Sequence, residues 1–116
     1  MDAQPRDLSI NYVELPVGDL AAAKRFYSAA FGWAYADWGP DYADTPGSGI
    51  GSGLNADPDH RPRAPLVVLF AADLEAARQR VRDAGGTITR DIFTFPGGRR
   101  FHFADPAGNE LAVWSH

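Results

Sequence analysis

Side chains with strong intrinsic chemistry are scarce in this chain. Its 116 residues include no cysteine and three histidines, His60, His102 and His116. Without thiols there are no disulfide staples, thiolate nucleophiles or thiolate metal sites. A catalytic metal would need at least three imidazole or carboxylate donors converging on one point. His60 lies in a proline-rich stretch and His116 is the last residue, so His102, alternating with Phe101 and Phe103 on a β-like run, is the histidine of interest. Its placement reads first as a partly exposed sheet position and second as a polar group facing a ligand. Tyr12, Glu14 and Glu110 complete the acid–base candidates, because a carboxylate buried among aromatic rings is raised in pKa and can then donate or accept a proton. Spacing alone brings no two of these groups together.

The aromatic residues offer different chemistry. Period-two alternation puts Tyr12 on one strand face with Glu14, Trp33 with Tyr35, and Trp114 with Glu110. Flat rings beside a few acidic groups suit an aromatic or cationic small molecule, through stacking and cation–π attraction. Plain core packing accounts for the same rings equally well. Trp33, Trp38 and Phe93 are further candidates for a cleft rim or a subunit interface.

The elements that must hold these residues come from an internal repeat. Asp19-Leu20-Ala21-Ala22-Ala23-Lys24 returns 54 residues later as Asp73-Leu74-Glu75-Ala76-Ala77-Arg78. Each copy follows an apolar extended run, Ile10 to Val17 or Leu66 to Ala71, and stops at glycine, Gly32 or the pair Gly85-Gly86. The aspartates can cap helices near Asp19 to Phe31 and Asp73 to Ala84, whose apolar residues recur at helical spacing. The glycines would end them in the left-handed region. On this reading Phe26, Tyr27 and Phe31 bury one face of the first helix.

Short β-like runs follow each helix: Trp33 to Trp38, a weak run near Tyr42 and Ile50 to Ala56, then Thr87 to Phe95, Arg100 to Phe103 and Glu110 to Trp114. Asp37 to Gly49 reads as a mobile connection. Asp57 to Pro65, with three prolines, two aspartates and two arginines, reads as a linker. The expected architecture is therefore α+β, a single domain of two β-α-β-β-β modules, about residues 8–56 and 66–115.

Bulk properties narrow the partners. A formal charge of −4 argues against nucleic acid, which is bound through a basic patch. Ten of the eleven basic residues are arginine, and the cluster Arg78, Arg80, Arg82 is diluted by Glu75 and Asp83, as on a solvated helix face. No apolar run has the length of a membrane span, and Met1 to Asp7 does not read as a signal peptide, so the expected setting is the cytoplasm without a membrane partner.

Two such modules, with Asn11-Tyr12-Val13-Glu14-Leu15-Pro16-Val17 leading to Asp19-Leu20, then Phe26-Tyr27, Phe31-Gly32-Trp33 and Asp105-Pro106-Ala107-Gly108-Asn109, resemble the vicinal oxygen chelate superfamily of glyoxalases, bleomycin resistance proteins and extradiol dioxygenases. The resemblance runs from Ile10 to Trp114. It implies a curved, mostly antiparallel sheet around a cleft, with helices outside. In metal-binding members His and Glu from inward strand positions hold a divalent ion that accepts two adjacent substrate oxygens. This chain has Tyr12 where the first such ligand would stand, Leu66 at the second and Ala112 at the third. Glu110 points to the same face as Ala112 and could replace one ligand by a register slip, but not three.

The resemblance and these vacancies together imply a small-molecule-binding protein with a metal-free aromatic cleft and no cofactor. The cleft candidates are Tyr12, Glu14, Trp33, Tyr35, His102, Glu110 and Trp114. The alternative is an enzyme of lyase, isomerase or dioxygenase type, with unusual metal ligands or metal-free acid–base chemistry. A third possibility is a regulatory or interaction role. Unpaired sheet edges further imply a homodimer.

Overall fold

A computed structural model describes residues 5–116. The elements run β1 (Ser9–Pro16), α1 (Leu20–Phe31), β2 (Ala36–Asp37), β3 (Tyr42–Asp44), β4 (Gly51–Asn55), β5 (Leu66–Phe70), α2 (Leu74–Asp83), β6 (Thr87–Phe95), β7 (Gly98–Ala104) and β8 (Glu110–Ser115). This is the expected α+β pattern, with β-α-β-β-β occurring twice. Strand order is 2-3-4-1 in the first set and 6-7-8-5 in the second, so the sequence repeat is also a repeat of topology. In each set the first and last strands pair in parallel and the remaining pairs are antiparallel. Among the described residues no helix is long and apolar enough to cross a membrane.

The chain divides into two compact units, and the division falls inside strands. Residues up to Asn11 group with Val67–His116, while Tyr12–Leu66 forms the other unit. Leu8 N–H donates to the Phe70 carbonyl and Asp7 Oδ1 accepts from Ala72 N–H, both at 2.8 Å, so the segment before β1 is tied to β5 and the turn that follows it.

In the unit containing α2, the core is Ala71, Leu74, Ala77, Phe101 and Val113. Asp73 caps α2, its Oδ1 accepting from Ala76 N–H at 3.0 Å, an arrangement that contributes about 1 kcal/mol. Leu74 and Ala77, three residues apart, face the sheet, and complete burial of a side chain like Leu74 contributes about 1.5–3 kcal/mol. Of the glycine pair after α2, Gly85 alone takes the left-handed conformation, with φ +98°, because the helix continues through an ordinary right-handed Ala84. In the β7–β8 turn, Asp105 accepts from the backbones of Ala107 and Asn109, and Gly108 has φ +90°.

In the unit containing α1, Asp19 caps the helix through Ala22 N–H at 3.1 Å and Gly32 ends it with φ +72°. The expected buried aromatic face is not found. No α1 residue is buried, and Phe26 and Phe31 are 60% and 64% exposed. The rings pack on one another instead, with Tyr27 stacked on Trp33 at 4.7 Å and Phe26 edge-on to Tyr27 at 5.0 Å. The expected strand Trp33 to Trp38 shrinks to Ala36–Asp37, because Trp33 is held by this ring cluster and Tyr35 by its hydroxyl's 2.7 Å donation to the Lys24 carbonyl. Asp37 to Gly49, expected to be a mobile connection, contains β3 and a turn tied by the hydroxyls of Thr45, Ser48 and Ser52.

Candidate functional site

The register of β1, β3 and β4 sorts their side chains onto two faces. Tyr12 and Glu14 lie opposite Gly51 and Gly53, Pro16 opposite Asn55, and Tyr42 and Asp44 opposite Asn55 and Gly53. One face therefore carries Tyr12, Glu14, Tyr42, Asp44 and Asn55 over two glycines, and the other carries Val13, Leu15, Ala43 and Leu54.

On the polar face the groups form a continuous hydrogen-bonded chain. Tyr12 Oη donates to Asp44 Oδ1 at 2.8 Å and shares a hydrogen bond with Tyr42 Oη. Tyr42 Oη reaches Glu14 Oε1 at 3.1 Å, and Asn55 Nδ2 donates to Glu14 Oε2 at 3.2 Å. Trp38 Nε1 donates to Asp44 Oδ2 at 2.9 Å. Glu14 is 1% exposed, so these donors supply what water would otherwise give a buried carboxyl group. Gly53 makes the arrangement possible, since a Cβ there would overlap the Tyr12 hydroxyl and come within 2.9 Å of the Tyr42 ring.

Burial, together with the electrostatic influence of Tyr42 and its hydrogen bond, holds the Tyr12 phenol far above its ordinary pKa. Burial and the charge of Glu14 do the same for Tyr42, against a smaller lowering by the Tyr12 hydrogen bond. Both phenols keep their protons at neutral pH. The face thus presents proton-bearing hydroxyls beside a buried carboxyl group.

The second unit carries the remaining candidates. By register, Glu110, Ala112 and Trp114 of β8 share a face with Ala104, His102 and Arg100 of β7. His102 Nδ1 lies 3.5 Å from Glu110 Oε2, which also accepts from the Thr89 hydroxyl at 3.0 Å. His102, expected to be partly exposed, is 8% exposed, because it lies mid-strand between β6 and β8 and beside the Phe93 ring. Trp114 packs edge-on to Phe70 at 5.0 Å, and its Nε1 donates to Asn11 Oδ1 at 3.0 Å. An open groove of about 630 Å³ lies on the α2 side of this unit, and none of the candidate residues lines it.

The structure therefore joins Tyr12 to Glu14 and His102 to Glu110, and places Trp33 and Tyr35 against α1. Spacing did not single out Tyr42, Asp44, Gly53 and Asn55. Their signal was the alternation Tyr42-Ala43-Asp44 within a polar stretch and the Gly51-x-Gly53-x-Asn55 pattern, both legible only once β3 and β4 are paired with β1.

A family model covers residues 9–113, nearly all of the described chain, and carries the description Glyoxalase/Bleomycin resistance protein/Dioxygenase superfamily. The chain belongs to this superfamily.

Among similar proteins, the anthracycline biosynthesis protein DnrV of Streptomyces peucetius is 31% identical over 129 residues, covering 89% of this chain and 45% of that protein. The putative glyoxylase CFP32 of Mycobacterium tuberculosis is 28% identical, covering 90% of this chain and 44% of that protein. The chain spans less than half the length of these relatives. The Mn(II)-bound glyoxalase of Novosphingobium aromaticivorans superposes with a TM-score of 0.68 at 25% identity, over 97% of this chain and 40% of that one. Methylmalonyl-CoA epimerase from Mycobacterium tuberculosis shares the fold at TM-score 0.71 and 18% identity, over 99% and 92% of the two chains.

The side chains at the positions where the resemblance would place metal ligands do not fit a divalent ion. Leu66 and Ala112 have no donor atoms, and the Tyr12 hydroxyl is held as a protonated phenol by burial and by its neighbours. Among the described residues, no three His, Asp or Glu side chains are grouped to hold an ion.

Proposed function

We propose that this superfamily member binds a small organic molecule on the polar face of β1, β3 and β4, through hydrogen bonds rather than a metal ion. The carrying observation is the chain Asp44–Tyr12–Tyr42–Glu14–Asn55, five polar side chains from three strands laid over glycine. Packing alone does not call for a polar cluster here, since burying a carboxyl group costs free energy unless every partner is in place. Its carboxyl groups suit a ligand that donates hydrogen bonds or carries positive charge, and Trp38, 57% exposed at its edge, offers a ring for stacking. The relatives named for anthracycline biosynthesis agree with a role in handling small organic molecules.

A second reading, a metal-free acid–base enzyme, is favoured by the protonated Tyr42 phenol beside buried Glu14. We further propose that the protein acts in the cytoplasm and pairs as a homodimer through the exposed Phe26 and Phe31 of α1.

An amide-detected NMR screen with a library of aromatic amines tests the main reading. Hits should shift the amides of Gly51, Gly53 and Asn55, and Tyr42→Phe should weaken them at least tenfold. Hits confined to other surfaces, or none at all, would reject it. Turnover of a hit, lost in Glu14→Gln, would favour the enzyme.

A further inference from the structure

The geometry of β6 points to a second site, and we propose that Arg90, with Phe93 and Arg100, binds a small aromatic carboxylate. The pairing with β7 shifts twice: Ile88 lies opposite Phe103, Arg90 opposite His102, and Phe93 opposite Arg100. In an unbroken antiparallel ladder starting at Ile88, residues 89 and 91 would take the places that Arg90 and Phe93 occupy. Each shift inserts one residue, as a β-bulge does, and bulges are used next to binding sites to re-aim side chains. Three residues apart, Arg90 and Phe93 would face opposite sides of a regular strand. Here both face the His102 and Trp114 side.

The two residues between Arg90 and Phe93 turn the other way. Asp91 receives Arg78 of α2 at 2.6 Å, and Ile92 joins the apolar residues against the α2 core. The bulges therefore separate Asp91 from Arg90. Among the described residues, no ion pair is recorded for Arg90; its guanidinium carbon lies 3.6 Å from the centre of the Phe93 ring. The Arg100 guanidinium approaches the same ring at 5.3 Å and that of Phe95 at 5.7 Å. The acidic neighbour on this face, Glu110, already receives the Thr89 hydroxyl.

A guanidinium stacked on a ring is oriented while its N–H edge still points outward, in the fork geometry that matches a carboxylate. Arg90 is exposed, so a ligand can reach it. The charge selects an oxyanion, and the rings of Phe93 and Phe95 select one attached to a flat apolar body. This site uses none of the residues of the β1–β3–β4 face, so the two readings stand or fall separately.

Calorimetric titration with 2-naphthoate, and with methyl 2-naphthoate, which keeps the ring system but has neither charge nor hydrogen-bond donor, tests the proposal. Naphthoate should bind once per chain and the ester should not. Arg90→Gln should weaken naphthoate at least tenfold and Phe93→Leu several-fold, with circular dichroism unchanged, while Tyr42→Phe should leave binding intact. The proposal is overturned if naphthoate fails to bind the wild type, if either β6 variant binds it with wild-type affinity, or if the ester binds equally well.

Discussion

Replacing Gly53 by alanine tests whether the two phenols meet as described. Gly53 lies in β4, is buried and has no positive φ, so alanine can adopt its backbone conformation without strain. If the space above it were open, Gly53→Ala would be neutral or would stabilise by about 0.4–1 kcal/mol, through lower entropy of the unfolded chain. The structure predicts the opposite sign, because the new methyl group overlaps the Tyr12 hydroxyl and crowds the Tyr42 ring at 2.9 Å. Overpacking of this kind costs about 1–3 kcal/mol. Displacing Tyr42 also removes a donor from buried Glu14, and leaving a buried acceptor unsatisfied costs about 1–3 kcal/mol. The two effects overlap, so we expect a net loss of about 2–4 kcal/mol. Urea denaturation followed by circular dichroism gives the value. In a Tyr12→Phe background the overlap with the hydroxyl is gone, and the penalty should shrink by about 1 kcal/mol or more, a coupling expected between touching residues. A stabilising Gly53→Ala, or strict additivity with Tyr12→Phe, would refute the packing of the two hydroxyls.

Three further outcomes follow from particular contacts. Because Tyr12 and Tyr42 hold their protons more tightly folded than unfolded, their contribution to stability is present below the ordinary phenol pKa of about 10 and falls as pH rises above it; alkaline urea melts should show this decline, and Tyr42→Phe should reduce it. Hydrogen bonds from Arg99, at 2.6 and 3.2 Å, lead the effects holding the exposed Glu75 carboxyl down at about 2. Its contribution is present above the unfolded pKa and lost as pH falls towards 2, and in Arg99→Gln the Glu75 titration followed by carbon-13 NMR should move back up towards 4.5. If the proposed homodimer forms through α1, replacing Phe26 and Phe31 with serine should yield a monomer by light scattering, with the far-ultraviolet circular dichroism retained.

What could be read without coordinates follows from the range of the forces involved. Helix caps and turns are local, so Asp19, Asp73 and the Asp105–Asn109 turn were legible from neighbouring residues. The β-α-β-β-β repeat was legible because apolar periodicity and capping recur together in both halves. Where the α1 rings go is a tertiary matter, and Phe26 fits helical periodicity whether its partner is a sheet or another ring. Site residues on β1 were named because Tyr12 and Glu14 alternate on a strongly apolar strand. Tyr42 and Asp44 were missed because a three-residue strand in a Gly- and Asp-rich stretch has almost no periodic signal. The two shifts in β6 were unreadable for a related reason, since each breaks the period-two rule on which strand reading depends.

The central claim is that the face around Tyr12 recognises its ligand by hydrogen bonds and does not hold a metal. Calorimetric titration of the protein, stripped with chelator, with manganese, nickel and zinc tests it most directly. The account predicts no stoichiometric uptake of any of the three ions, because on this face Tyr12 and Tyr42 are protonated phenols and the Glu14 and Asp44 carboxyl groups are engaged by hydrogen bonds from their neighbours. One ion bound per chain at micromolar affinity, and lost on Glu14→Gln, would contradict it.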